Sequence, residues 1–134
     1  MKFAAIDIGS NAVRLLFTHV HEIDGKAVFR KSSLVRLPVR LGEDVFKTKN
    51  ISERNTERLA KSMLAFRNLI EVHEVVSFRA CATSAMREAQ NGNQVVDFVS
   101  TDCHRMEHLE IIENERYNPY FHKLLNLRLR NSEL

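Results

Sequence analysis

The chain has 134 residues, of which 44% are hydrophobic and 28% are charged, and its formal net charge at pH 7 is +3. These values are typical of one globular domain with its own core, and they argue against a disordered or disulfide-stapled chain. Because there is neither a secretion signal nor an apolar run of the ~20 residues that cross a membrane, we expect a cytoplasmic protein with no membrane partner. Its cysteines, Cys81 and Cys103, are then reduced and pack as small apolar side chains. The basic excess suits an anionic ligand, although a solvated surface is the simpler interpretation.

The amino-terminal part of the chain predicts three antiparallel strands. Apolar residues predict strands over 2–8 and 12–20, and the turn between them is so short that the two must form a hairpin. An Asp-Gly pair then introduces a third strand over 27–37. A proline and a glycine interrupt the next segment, so we expect residues 37–49 to be irregular.

Helical spacing dominates the middle of the chain. Ser52 is a suitable N-cap, and the apolar residues that follow recur at helical spacing over about five turns: Leu59, Met63, Phe66 and Ile70. A buried strand is expected over 75–82, followed by a helix that begins after Thr83-Ser84 and stops at Asn91-Gly92. Asn93 can cap one further short helix.

The predicted fold class is α/β, with a mixed sheet that starts as a three-stranded antiparallel meander and has the order β-β-β-α-β-α-β. The last strand is expected over 109–112. Beyond it the composition changes, so we expect residues 1–112 to form the domain. Residues 113–134 are then a divergent tail, either a basic amphipathic helix or a loose segment.

Polar residues follow the first predicted strand directly. In AIDIGSNAVRLL, a glycine, a hydroxyl and an amide lie in one turn, and Asp7 ends the strand beside them. Glycine lets a bulky anion approach the backbone, and a carboxylate can hold a divalent cation through water. Taken alone, this pattern is more often an ordinary hairpin turn. The chain's four glycines exclude the G-x-G-x-x-G and Walker A loops.

A second polar stretch, CATSAMREAQNG, also follows a predicted strand. Thr83 and Ser84 would place hydroxyls and N–H groups at a helix start, where anions bind, and Arg87 lies one turn further on. Taken alone, a capped helix with an exposed arginine explains the stretch better.

Together, the two stretches resemble the exopolyphosphatase/guanosine pentaphosphate phosphatase family. The first matches the family's I-D-x-G-S-N-S/A-x-R-L motif at Ile6, Asp7, Gly9, Ser10, Asn11, Arg14 and Leu15. The second matches A-T-S-A-x-R-x-A-x-N at Ala82, Thr83, Ser84, Ala85, Arg87, Ala89 and Asn91. Two motifs in the right order are far more specific than either alone. The resemblance covers roughly residues 3 to 112 and implies an actin-like, ribonuclease-H-like fold.

The resemblance also implies a function and its residues. The substrate would be polyphosphate or a phosphorylated guanine nucleotide, hydrolysed at a phosphoanhydride bond with Mg²⁺ held by Asp7. The implied phosphate-binding residues are Gly9, Ser10, Asn11, Arg14, Thr83, Ser84 and Arg87. Glu115 or, alternatively, Glu113 lies close to the expected place of the catalytic glutamate, although neither falls within the family's pattern. The family's second domain, with its D-x-G-G-G-S loop, is not found in this sequence, so we expect weak or no activity.

Other interpretations remain open at this stage. A non-catalytic module that binds polyphosphate or nucleotide, and a kinase-like member of the actin-like superfamily, would use the same loop. We expect no specific nucleic-acid partner, and an uncovered face would favour a homodimer. Less favoured sites are a zinc site at Cys103, His104 and His108, an acid–base set at Glu71, His73 and Glu74, and a basic rim at Arg36 and Arg40.

Overall fold

A computed structural model describes residues 1–102 and the backbone of residues 109–111. The elements, in chain order, are β1 (Lys2–Ile8), β2 (Val13–Ile23), β3 (Lys26–Leu37), α1 (Leu41–Thr48), α2 (Glu53–Val72), β4 (Ser77–Ala82), α3 (Ser84–Glu88), α4 (Gly92–Asp102) and β5 (Leu109–Ile111). Over these residues no helix is both long enough and apolar enough to span a bilayer.

The strands form one mixed sheet in the order β3-β2-β1-β4-β5. The first three strands pair antiparallel, whereas β4 pairs in parallel with β1 and β5 pairs in parallel with β4. The predicted α/β class and the opening meander are therefore confirmed. Asp24 and Gly25 both have positive φ, 52° and 71°, as a type I′ hairpin turn requires, which confirms the turn predicted between β2 and β3.

Side chains alternate between the two faces of the sheet, so core residues and Asp7 and Arg14 lie on opposite faces. Ile6 and Ile8 of β1 and Leu15 of β2 are at most 1% exposed and belong to the hydrophobic core. Because neighbouring side chains of a strand point to opposite faces, Asp7 and Arg14 lie on the other face of the sheet. The predicted stripe on α2 is confirmed, since the same core contains Leu59, Met63, Phe66 and Ile70.

The prediction that residues 37–49 are irregular was wrong, because α1 occupies Leu41–Thr48. Leu41 and Val45, one turn apart, are buried, and two acids in the first turn favour the helix amino terminus. Gly42 suggested a break, but it lies inside the helix. The predicted order β-β-β-α-β-α-β therefore lacks α1. It also has one helix between the last two strands, where the structure has two, α3 and α4.

The side chains of Asp44 and Ser52 connect helices α1 and α2. The Asp44 carboxylate accepts hydrogen bonds from the Ser52 amide (2.9 Å), the Ser52 hydroxyl (2.6 Å) and the Asn55 side-chain amide (2.8 Å). Burial acts to raise the pKa of Asp44, but these bonds and the charge of Lys47 outweigh it and lower that pKa below its usual value. Ser52 in turn caps α2 as predicted, because its hydroxyl accepts from the Asn55 backbone amide.

Asn91, the last polar residue of the second motif, has a structural role. Its side-chain amide donates to the Ile51 carbonyl at 2.9 Å, and its Oδ1 accepts from the Ile51 amide at 2.8 Å. One side chain thus pairs both backbone groups of a residue forty positions away. This pairing ties the α3–α4 connection to the junction between α1 and α2.

Candidate functional site

The turn after β1 is closed by its own backbone. The Gly9 amide donates to the Ala12 carbonyl at 3.0 Å, and a Cβ on Gly9 would lie only 3.2 Å from that same oxygen. A glycine therefore allows the chain to turn within four residues and leaves Ser10 and Asn11 at its tip. The close contact at Gly9 is with the turn's own carbonyl, so the approach of an anion to this glycine stays a prediction.

The second motif meets this turn because β1 and β4 run parallel. Their carboxyl ends lie at the same edge of the sheet, where the Thr83 amide donates to the Ile8 carbonyl at 3.2 Å. Immediately beyond, the hydroxyls of Ser10 and Ser84 lie 2.9 Å apart. Residues 74 positions apart in the sequence therefore share one hydrogen bond at the predicted site.

A pocket of about 480 Å³ opens at this edge of the sheet. Its volume lies within the range of ordinary small-ligand pockets. The residues that line it are Gly9, Ser10, Asn11, Ala12, Arg14, Arg36 and Ser84. Five of the predicted phosphate-binding residues are thus brought together, and their donors are backbone amides, hydroxyls, a side-chain amide and guanidinium groups.

Arg14 and Asp7 form an ion pair beside the pocket. They are direct partners in the β1–β2 register, and an Arg14 guanidinium nitrogen contacts Oδ2 of Asp7. The Asp7 side chain is 6% exposed and that of Arg14 is 28% exposed, so the carboxylate lies beneath the guanidinium. The pair fixes Arg14 in direction and offsets its charge.

Thr83 and Arg87 are placed differently from the other predicted residues. Neither belongs to the set of described residues that line the pocket. The Thr83 hydroxyl donates to the Ile8 carbonyl at 3.3 Å instead of capping α3, and α3 has only five residues. Glu113 and Glu115, predicted for catalysis, lie outside the described residues, as do Cys103, His104, His108 and the 113–134 tail.

Helix α1 contacts the turn after β1, and the sequence did not predict this contact. The Gly42 amide donates to the Ser10 carbonyl at 2.9 Å. A Cβ on Gly42 would lie 3.0 Å from the Ser10 Cβ and 3.2 Å from the Ser10 carbonyl oxygen. The first turn of α1 can therefore reach the loop only because Gly42 has no side chain. A glycine followed by two acids was the available signal of a helix start.

The described lining of the pocket contains no carboxylate, so Mg²⁺ would need both a carboxylate beside the pocket and a bound phosphate. Among the described residues, no three His, Cys, Asp or Glu side chains gather as a metal site. In phosphate-binding sites, however, Mg²⁺ needs only one or two carboxylates and takes its other ligands from phosphate and water. Asp7, the predicted carboxylate, is not among the described residues that line the pocket; its side chain is 6% exposed, and its Oδ2 contacts Arg14.

The other candidate residues have structural explanations. Cys81 is fully buried and in no disulfide, as expected of a core thiol. The His73 ring stacks on Phe17 with centroids 4.0 Å apart. Arg40 pairs with Glu43 at 3.3 Å. Of the less favoured candidates that the structure describes, Arg36 alone lines the pocket.

Comparison with known proteins decides the family. The sequence profile of the Ppx/GppA phosphatase family matches residues 20–117, more than half of the chain. The chain belongs to this family. A Ppx/GppA protein of Aquifex aeolicus has a structure similar to it, with a TM-score of 0.74 and 29% identity over 86% of this chain and 36% of that one. The actin-like fold expected from the two motifs is therefore confirmed.

Two further relatives extend the comparison. A bifunctional 3-dehydroquinate synthase/phosphatase of Fusobacterium nucleatum is 36% identical over 91 residues, which are 66% of this chain and 14% of that protein. An exopolyphosphatase of Cytophaga hutchinsonii shares the fold, with a TM-score of 0.73 and 24% identity over 87% of this chain and 35% of the other. This Ppx/GppA chain thus spans little more than a third of the solved structures that it resembles.

Proposed function

We propose that this Ppx/GppA chain provides the phosphate-binding part of a phosphoanhydride hydrolase that acts on inorganic polyphosphate or guanosine pentaphosphate. The observation that carries the proposal is the 2.9 Å contact between Ser10 and Ser84, which joins the two motifs at one pocket. Membership of the Ppx/GppA phosphatase family supports the same reaction class.

Five of the pocket residues would act on a bound phosphate. Ser10, Asn11 and Ser84 offer neutral donors from two elements, and Gly9 leaves room for phosphate oxygens to approach the backbone. Arg14 keeps N–H donors beyond the one that Asp7 occupies, so it can bind a phosphate while its direction stays fixed. These fixed dipoles and charges would stabilise negative charge that develops on the phosphate during hydrolysis.

The remaining parts of the mechanism are proposals from the resemblance. Asp7 would hold Mg²⁺ jointly with phosphate, and the bound ion would neutralise charge on the phosphate oxygens. Glu115, or alternatively Glu113, would take a proton from a water molecule as the water oxygen bonds to the terminal phosphorus. The bond from that phosphorus to its bridging oxygen breaks, and the oxygen leaves with the shortened chain. A cytoplasmic location, where thiols stay reduced, is part of the same proposal.

Hydrolysis and binding make different demands on this chain. A hydrolytic site must exclude bulk water, and the described pocket is built from one edge of a single sheet. We therefore expect residues 1–134 alone to bind phosphate but to release none from polyphosphate above a heat-treated control. Robust metal-dependent release would show that this chain needs nothing further for catalysis.

Thermal unfolding with ligands tests the binding proposal against the kinase-like alternative. At 100 times its Kd, a ligand stabilises the fold by about 2.7 kcal/mol, which raises the Tm of a domain of this size by about 10 °C. We expect tripolyphosphate with Mg²⁺ to give such a rise and ATP a smaller one. Ser84→Ala should reduce the rise, whereas Ser77→Ala, at the opposite end of β4, should not. A larger rise with ATP would favour a kinase-like protein.

A further inference from the structure

Arg36 extends a row of charged residues across three neighbouring strands. Asp7 of β1 pairs in register with Arg14 of β2, and Arg14 pairs in register with Arg36 of β3. Direct partners in an antiparallel pair share one face of the sheet. The three side chains therefore follow one another across the face opposite the core, and both arginines line the pocket.

The charge of this row is unbalanced at its β3 end. Two like charges directly opposite each other in a sheet are unfavourable unless another charge compensates them. The Asp7 carboxylate compensates Arg14 through the ion pair. Within the described part of the chain, the ion pairs are Arg14–Asp7, Arg40–Glu43 and Arg67–Glu71, so none of them includes Arg36. Among the described residues, Arg36 is thus a positive charge of the pocket with no ion-pair partner.

The spacing of the strands indicates what kind of anion fits. Adjacent strands lie about 4.8 Å apart, so the backbones of Arg14 and Arg36 are separated by about one strand spacing. If the serines and Arg14 bind one phosphate, Arg36 lies on the side of the pocket toward β3, where a second, linked phosphate would be. An anion of linked phosphates can extend from the loop between β1 and β2 toward β3 and use both arginines.

We infer that Arg36 binds a second phosphate group of the ligand, and that it thereby selects a chain of linked phosphates over orthophosphate. The inference rests on the proposed function, because it requires the first phosphate to occupy the pocket beside Ser10 and Ser84. It adds a residue outside both motifs, at an exposed position of β3.

Calorimetric titration of the full chain with tripolyphosphate and with orthophosphate tests the inference. Removing one charge-assisted contact in Arg36→Gln should weaken tripolyphosphate binding about tenfold and orthophosphate binding less than about twofold. Arg36→Lys keeps the charge but lacks the planar guanidinium group, so its loss of tripolyphosphate affinity should be smaller than that of Arg36→Gln. Arg30→Gln is the matched control, because it removes the same charge from the same exposed strand about 20 Å away.

The outcomes separate the inference from the function on which it rests. A selective loss of tripolyphosphate affinity in Arg36→Gln, with Arg30→Gln unchanged, supports the inference. If the wild type binds both ligands and the two glutamine variants behave alike, the role of Arg36 is refuted while the phosphate pocket stands. If the wild type binds neither ligand, both the pocket and the role of Arg36 are refuted.

Discussion

Gly42→Ala tests whether α1 positions the phosphate-binding turn. The added Cβ would lie 3.0 Å from the Ser10 Cβ, well inside the 3.5–4.0 Å at which carbon atoms pack. Ser10 must then move by several tenths of an ångström, and the 2.9 Å hydrogen bond from the Gly42 amide to its carbonyl is disturbed. The turn that presents Ser10 to the pocket therefore shifts.

The expected cost can be divided between stability and binding. Overpacking costs about 1 to 3 kcal/mol, whereas replacing glycine by alanine inside a helix returns about 1 kcal/mol, so the net loss of stability is about 0 to 2 kcal/mol. Orthophosphate affinity should fall at least about tenfold, because Ser10 is displaced from the distance at which it contacts Ser84.

Urea unfolding and calorimetric titration of the same samples separate the two effects. Gly25→Ala is the matched control: its φ of 71° makes alanine cost about 1 to 2 kcal/mol, yet no atom outside its chain neighbours lies within 4 Å of the added Cβ. Gly25→Ala should therefore lose stability and keep its phosphate affinity. Unchanged phosphate affinity in a folded Gly42→Ala variant would refute the positioning role of α1.

Three further predictions concern the side chains that hold the site. Asn91→Ala should lower the free energy of unfolding by about 2 to 3 kcal/mol in urea, because both backbone groups of Ile51 lose their partner. Asp44→Ala should destabilise the chain at pH 6, and the difference from wild type should shrink as the pH falls below about 4, because a carboxylate whose pKa is lowered on folding stabilises only while ionised. Arg14→Gln should cost about 2 to 3 kcal/mol by leaving the Asp7 carboxylate unpaired, and adding Asp7→Asn should recover more than half of that loss.

Each of these predictions has an internal check. Asn93→Ala removes an exposed asparagine two residues beyond Asn91, so it should leave the unfolding free energy nearly unchanged. For Asp44→Ala, a stability difference that stays constant from pH 6 to pH 3 would contradict the role given to the ionised carboxylate. Additive losses in the double variant of Asp7 and Arg14 would show that the two do not act as a pair.

Local signals were sufficient for most of the fold. Alternating and helical spacing identified the meander, α2 and β4, and Ser52 caps its helix as its position predicted. Helix α1 was missed because Gly42 is a poor helix residue whose presence is explained by Ser10, a residue distant in sequence. A tertiary contact of this kind leaves no periodic trace in the sequence.

The site was predictable where two motifs end neighbouring strands, and less so elsewhere. Ser10 and Ser84 meet because β1 and β4 pair in parallel. Arg36 belongs to no motif, and only the register of β2 with β3 places it opposite Arg14. Strand register and hydrogen-bond partners depend on the whole sheet. The sequence could therefore name Arg36 only as part of a less favoured basic rim, and it could not give the position of Arg36 opposite Arg14 or the Thr83 contact.

An NMR titration of the isotope-labelled chain with orthophosphate tests the central claim most directly. If the turn after β1 binds phosphate, the backbone amide signals of Gly9, Ser10 and Asn11 should move most, together with that of Ser84. In Ser10→Ala with Ser84→Ala these shifts should need a much higher phosphate concentration. Saturable shifts that centre elsewhere, or no saturable shift at all, would contradict the assignment of this pocket to phosphate.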